Sequence, residues 1–115
     1  MIRLHELKTE RPHFDLTWSG VKNFEVRKDD RHFAPGDLLF LRLHPVPKEK
    51  EEDLAVLALV QCVVTYGQPE GQVVLGLARL AKIADDGFNV WFNVLGPDGQ
   101  PRTELQAFVS KRERK

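Results

Sequence analysis

Hydrophobic and polar residues alternate in short stretches along most of the chain. The clearest stretch is Leu38–His44, where Leu39, Leu41 and Leu43 share one face. Alternation with a period of two is typical of a β-strand with one buried face. The other stretches predicted as strands are residues 2–7, 23–28, 54–66, 73–80 and 88–95. The pattern therefore predicts a mainly β chain, with five to six strands.

A helical spacing follows the first predicted strand. Phe14, Thr17 and Trp18 recur at intervals of three and four residues, which places them on one helix face. Pro12 suits the first turn of a helix, and Gly20 suits a left-handed residue at its end. We predict a short helix over residues 11–20 that covers one end of the core.

This order of elements predicts an α+β fold that is mainly β. The expected architecture is a closed or nearly closed antiparallel β-barrel of mixed topology, with a short helix after strand 1. We assign residues 1–95 to this barrel domain. Residues 96–115 form a C-terminal extension, either a docked helix around Leu105 and Phe108 or a loose segment. Residues 45–53, proline-bracketed and highly charged, are predicted to be a surface loop.

Composition narrows the class of protein. The 115 residues include 42% hydrophobic side chains, enough for one core, and 17 basic side chains balance 17 acidic ones. The lone Cys62 is expected to be buried, and a single cysteine suits a reducing cytoplasm. No apolar run approaches the length of a membrane span, so we expect a cytoplasmic protein, and we favour a monomer. The last residues, 111–115, either trail along phosphates or form a solvated tail.

One short segment concentrates charge. Lys22, Glu25 and Arg27 fall at the end of the helix and on the following strand. Period-two geometry puts Glu25 and Arg27 about 7 Å apart on one strand face. Such a cluster beside a hydrophobic wall offers donors and an acceptor to a polar planar ligand. From spacing alone, a solvated strand face with a surface ion pair explains it equally.

The residue order of this segment resembles a known signature. Gly20-x-Lys22-x-x-Glu25-x-Arg27 is similar to the G-x-K-x-x-E-x-R motif of ASCH domains, a branch of the PUA-like superfamily. The opening His5-Glu6-Leu7-Lys8 resembles an uncharacterised ASCH-like subfamily of phages and bacteria. The similarity covers about the first 45 residues in order, continues to residues 64–66 and 73–76, and does not extend beyond Ala84. It implies a PUA-like barrel with a cleft beside the first helix, floored by Lys22, Glu25 and Arg27.

The resemblance also implies a function. ASCH relatives are associated with RNA, so RNA or a nucleotide-like ligand is the expected partner, with no cofactor. Some bacterial relatives hydrolyse an acylated cytidine with a lysine, a threonine and a glutamate. Lys22 matches that lysine, but Glu25 stands in the threonine position, and Gln61 is the polar candidate where the glutamate belongs. The alternative is a small hydrolase of a modified nucleoside in which Lys22 and Glu25 are catalytic.

Several other residues are candidates for the ligand site. His5 and Lys8 border the same cleft if the resemblance holds, although a structural hydrogen bond explains His5 equally. Arg31 either contacts the ligand or orders the loop before Pro35. The aromatic candidates for base stacking are Trp18, Tyr66, Trp91 and Phe92, of which we expect Trp91 to be partly exposed. The histidines match no zinc-site spacing, so we predict no metal.

Overall fold

Seven strands and one short helix make up the described part of the chain, residues 1–45 and 52–110 of a computed structural model. In chain order they are β1 (Leu4–Glu10), α1 (His13–Ser19), β2 (Phe24–Lys28), β3 (Leu38–His44), β4 (Asp53–Val64), β5 (Gln72–Asp85), β6 (Asn89–Leu95) and β7 (Pro101–Ser110). The mainly β prediction is confirmed. Most of the charged loop and the basic tail lie outside the described residues. In the described ranges, no helix has the length and apolar character needed to cross a membrane.

The strands form one sheet in the order β1-β3-β4-β5-β6-β7, and β2 pairs with β5. β1 runs parallel to β3, while every other pair is antiparallel. The expectation of a purely antiparallel arrangement is therefore wrong at β1. Parallel neighbours need a crossover connection, and α1 and β2 supply it between β1 and β3. In the part of the chain described, the hydrogen-bonded ladder stays open between β1 and β2.

The core lies where the alternating patterns meet the helix. Leu39, Leu41 and Leu43 of β3 are all buried, as their alternation predicts. Phe14 of α1 is fully buried against them, and its ring stacks on Trp18 at 5.9 Å between centroids. The helix prediction is confirmed, so α1 covers one end of the core.

Two β-bulges change which face a side chain occupies. Between β4 and β5, Arg79 pairs with Ala58 and Ala81 pairs with Leu57, so Leu80 is left without a partner. A second shift falls between Val60 and Cys62. Each bulge reverses the alternation that a strict period of two would give.

The second bulge explains an incorrect prediction. Cys62 is exposed, although its apolar neighbourhood predicted burial. Its sulfur lies over Gly76 on β5, where an added Cβ would be only 2.6 Å from Sγ. The glycine within β5 thus marks the close approach of a side chain from β4.

The C-terminal extension differs from both alternatives drawn from sequence. Residues 101–110 form β7, which pairs antiparallel with β6. The rings of Trp91 and Phe108 pack at 4.4 Å across this pair. Trp91 is 43% exposed, as expected. Cross-strand aromatic contact stabilises a two-stranded pair, which the helical interpretation did not consider.

Gly20 supports a prediction about stability. It ends α1 with φ of 86°, and an added Cβ would be 2.6 Å from Arg79 Nη2. Gly71 has φ of 82° with open space around it. Gly71→Ala should cost about 1 to 2 kcal/mol for the left-handed backbone, and Gly20→Ala about 1 kcal/mol more because Arg79 must also move. Urea unfolding of both variants measures the difference, and equal losses would contradict the contact with Arg79.

Candidate functional site

A cavity of about 660 Å³ lies between the end of α1, strand β2 and strand β1. We call it the Lys22 cavity. Its polar and charged lining residues include Lys8, Thr9 and Glu10 from β1, and Lys22, Glu25 and Arg27 from the motif segment. The structure therefore brings together the three motif residues that the sequence grouped, and it adds a second strand to them.

The ionic face of β2 is its inner face. Glu25 is only 3% exposed, while its chain neighbours Phe24 and Val26 are 45% and 46% exposed. This burial excludes a solvated strand face for Glu25. A carboxylate in that position must be compensated by cations or hydrogen bonds, because an isolated buried charge is very costly.

Two cations supply that compensation. Arg27 Nε donates to Glu25 Oε1 at 3.0 Å, and Lys22 Nζ donates to Glu25 Oε2 at 3.4 Å. Both carboxylate oxygens are thus engaged by side chains that are themselves partly buried. The cluster holds a fixed pattern of charge at the floor of the cavity.

Arg27 also connects β2 to β1. Its Nη2 donates to the Lys8 carbonyl oxygen at 2.9 Å and to Thr9 Oγ1 at 3.1 Å. These bonds cross the gap between β1 and β2, which we call the seam. Among the described residues, β1 and β2 are not paired through their backbones at the seam. One guanidinium therefore both neutralises Glu25 and joins the two strands.

Apolar side chains surround this polar floor. Leu16, Val21, Phe24 and Val26 line the cavity and are all exposed hydrophobic residues. Lys22 Nζ lies 5.4 Å from the centroid of the Phe24 ring. A polar floor with an apolar wall is the arrangement that binding sites for planar polar ligands use.

The remaining candidates from sequence are placed differently. Lys8 lines the Lys22 cavity, whereas His5 and Arg31 do not. Arg31 Nη1 donates to the Glu6 carbonyl oxygen at 3.2 Å, which matches its alternative role of ordering a loop. Sequence reasoning missed Thr9, whose signal was its period-two position after His5 and Leu7.

His5 belongs to a separate buried cluster. Its Nε2 lies 2.9 Å from Asp37 Oδ2, and Arg3 Nη2 lies 3.1 Å from the same oxygen. Burial acts to raise the pKa of Asp37, but hydrogen bonds from His5, the Ala34 N–H and Arg3 outweigh it and hold the pKa below its ordinary value. These contacts hold His5 in a cluster outside the Lys22 cavity.

The aromatic candidates lie apart from the cavity floor. Trp18, Tyr66, Trp91 and Phe92 are absent from the lining of the Lys22 cavity. His13 does line it, a position that sequence reasoning considered only for zinc. Within residues 1–45 and 52–110, no three His, Cys, Asp or Glu side chains gather as a metal site would require.

Comparisons with known proteins match the part of the chain that builds this site. The model of a family described as "Domain of unknown function (DUF3850)" matches residues 4–77, which include every residue lining the Lys22 cavity. The chain is also similar to the "Uncharacterized 12.9 kDa protein in GpA 3'region" of Escherichia phage P2, with 44% identity over 41 residues. That match covers 36% of this chain and 38% of the phage protein.

The buried carboxylate supports a second stability prediction. Glu25→Gln removes the negative charge that Lys22 and Arg27 compensate, so it should lower the free energy of unfolding by about 2 to 4 kcal/mol. Glu10→Gln, an exposed residue on the rim of the same cavity, should cost about 0.5 kcal/mol or less. Urea unfolding measures both. Equal losses of unfolding free energy would show that the buried ion pairs of Glu25 do not contribute to stability.

The Asp37 cluster predicts how stability depends on pH. Because the pKa of Asp37 is lowered by folding, its stabilisation is complete above the unfolded value of about 3.9 and is lost as pH falls through the folded value. Asp37→Asn should therefore lose about 1 to 3 kcal/mol near neutral pH and unfold less steeply with acid. Asp15→Asn, from an exposed pair with Arg11, is the control and should leave the acid transition unchanged. Parallel acid transitions for wild type and Asp37→Asn would refute this assignment.

Proposed function

The chain belongs to the family of the Domain of unknown function (DUF3850), and we propose that its Lys22 cavity binds one nucleotide of a nucleic acid, RNA in the first instance. The observation that carries this proposal is the cluster of Lys22, Glu25 and Arg27 at the floor of a concave site with an apolar wall. Such a floor offers cationic donors and an anionic acceptor within one small space.

The unused hydrogen-bonding capacity of the cluster suits a nucleotide. The ammonium of Lys22 has three donors and uses one on Glu25, so two remain for a phosphate or a base carbonyl. Glu25 accepts one bond on each oxygen and keeps lone pairs for an exocyclic amine or a ribose hydroxyl. Phe24 and Val26 are exposed and provide an apolar surface for a base face.

The same contacts support a finer assignment of the fold. We infer a PUA-like barrel of the ASCH type, in which β1, β3, β4, β5 and β2 curl until β2 lies beside β1. The support is the pair of bonds from Arg27 to Lys8 and Thr9, which require the two strands to be close. In this proposal the motif residue Arg27 takes the place of backbone pairing at the seam.

The contacts of Glu25 favour binding over hydrolysis. A general base must take up a full proton, which would remove the negative charge that pairs Glu25 with Lys22 and Arg27, whereas accepting a hydrogen bond from a ligand leaves both ion pairs in place. The set of Lys22, Glu25 and Arg27 also leaves the threonine of the acylated-cytidine hydrolases unmatched, because Glu25 stands in its position. We therefore assign Glu25 to ligand recognition and to holding the two cations.

Lys22 provides the direct test, because Arg27 also has a structural role. Lys22→Gln should weaken binding of a random-sequence single-stranded RNA hexanucleotide about tenfold or more, since a charge-assisted hydrogen bond is lost. Fluorescence anisotropy measures this affinity, and a thermal-shift assay with the four ribonucleoside monophosphates tests single nucleotides.

Lys28→Gln is the matched control. Lys28 follows Arg27 on β2 and is exposed, and it does not line the cavity, so its loss removes the same charge away from the site. It should retain nearly the wild-type affinity. Equal weakening of RNA binding by both variants would show that the protein attracts RNA through its basic side chains in general and not through the Lys22 cavity. Failure of the wild-type protein to bind any of these ligands would refute the proposed function.

A further inference from the structure

A second cavity, of about 690 Å³, adjoins the Lys22 cavity. Gly20 and Asn23 line it, while Val21 and Lys22, which lie between them in the chain, line the first cavity. On its other sides are Arg79 of β5 and the turn from Gly96 to Gly99. We call it the Arg79 cavity. The segment of residues 20–23 thus separates two concave sites.

The bulge at Leu80 brings a second cation, Lys82, near Arg79, although Lys82 is not among the residues that line the Arg79 cavity. Because Leu80 is left unpaired, Lys82 returns to the face of β5 that Arg79 occupies. Both cations contact Trp18 of α1. Arg79 Nη1 donates to the Trp18 carbonyl oxygen at 2.7 Å, and Lys82 Nζ lies 4.7 Å from the centroid of the Trp18 ring.

This pair of cations lacks a carboxylate partner among residues 1–45 and 52–110. The other partly buried cations in this part of the chain are neutralised, Lys22 and Arg27 by Glu25 and Arg42 by Asp53. Burial lowers the pKa of Lys82, and the neighbouring charge of Arg79 lowers it further. A bound anion would relieve the repulsion between the two cations.

We propose that Arg79 and Lys82 form a subsite for a phosphodiester group of single-stranded nucleic acid. This inference rests on the proposed function and deepens it: the ligand of the Lys22 cavity is one nucleotide of a strand, and the strand continues over residues 20–23 to the Arg79 cavity.

The geometry of Gly20 supports this continuity. An added Cβ there would be 2.6 Å from Arg79 Nη2, so the guanidinium lies directly against the Gly20 backbone. Lys22 follows two residues later, which corresponds to at most about 7 Å of extended chain. The cations of the two cavities therefore lie close enough for adjacent parts of one short strand.

Arg79 and Lys82 have different roles in the subsite. Arg79 also donates to the Gly99 carbonyl oxygen at 3.4 Å, so it holds α1 and the turn together as well as retaining free N–H donors. Within residues 1–45 and 52–110, Lys82 Nζ makes no hydrogen bond or ion pair, and it lies against the Trp18 ring. The carboxylate in the cavity lining, Asp98, accepts the Gln100 N–H within its own turn. Lys82 is therefore the residue whose replacement tests the subsite with least effect on folding.

The experiment compares ligand lengths. We measure binding of labelled random-sequence single-stranded RNA hexanucleotide and of the four ribonucleoside monophosphates to wild type, Lys82→Gln and the control Lys28→Gln, over a range of salt concentrations. Lys82→Gln should weaken hexanucleotide binding about threefold to fivefold and lower the slope of log affinity against log salt by about 0.7. Its affinity for the monophosphates should be unchanged, and so should its thermal unfolding midpoint without ligand.

The outcomes separate this inference from the proposed function. If wild type binds the hexanucleotide no more tightly than a monophosphate, or if Lys82→Gln matches Lys28→Gln in affinity and salt slope, the subsite is refuted while the Lys22 site stands. Competition by polyglutamate as effective as that by RNA would also overturn it, because the cations would then recognise any polyanion. If wild type binds none of the RNA ligands, the proposed function fails and the subsite with it.

Discussion

The guanidinium of Arg27 is the interaction on which the site depends. It donates to the buried Glu25 carboxylate and, through another nitrogen, to the Lys8 carbonyl oxygen and Thr9 hydroxyl of β1. Without the cation, Glu25 would be a poorly compensated charge in the interior. Without the bonds to β1, the edge of β2 would have no partner across the seam. A lysine could supply the charge but not the fork of donors that reaches both strands.

A second arginine, Arg79, likewise makes several contacts, at the segment that precedes β2. Gly20 ends α1 in a left-handed conformation, and the absence of a side chain there allows Arg79 to lie against its backbone. Arg79 in turn donates to the helix carbonyl of Trp18, one of the groups that a helix end leaves unsatisfied. Two arginines thus fix the segment of residues 20–27 from opposite ends, and this segment separates the two cavities.

Local patterns predicted much of this arrangement, and long-range contacts explain what they missed. The alternation of β3 and the spacing of Phe14 and Trp18 are properties of one element, so the sequence was sufficient for them. The parallel course of β1, the pairing of β7 and the exposure of Cys62 depend on which strands become neighbours and where bulges fall. At the site, period two predicted that Glu25 and Arg27 share a face. It could not predict that Thr9, far earlier in the chain, would also accept a hydrogen bond from Arg27.

The balance of 17 basic and 17 acidic side chains constrains how such a protein can bind a polyanion. With no net charge, long-range attraction contributes little, and affinity must come from contacts that are already in place. Ordering a flexible lysine costs conformational entropy, which a cation held by packing has largely lost before binding. Lys22 is held by Glu25 and Lys82 by the Trp18 ring. Both ammonium groups are therefore preorganised, as the proposed binding of a short strand requires.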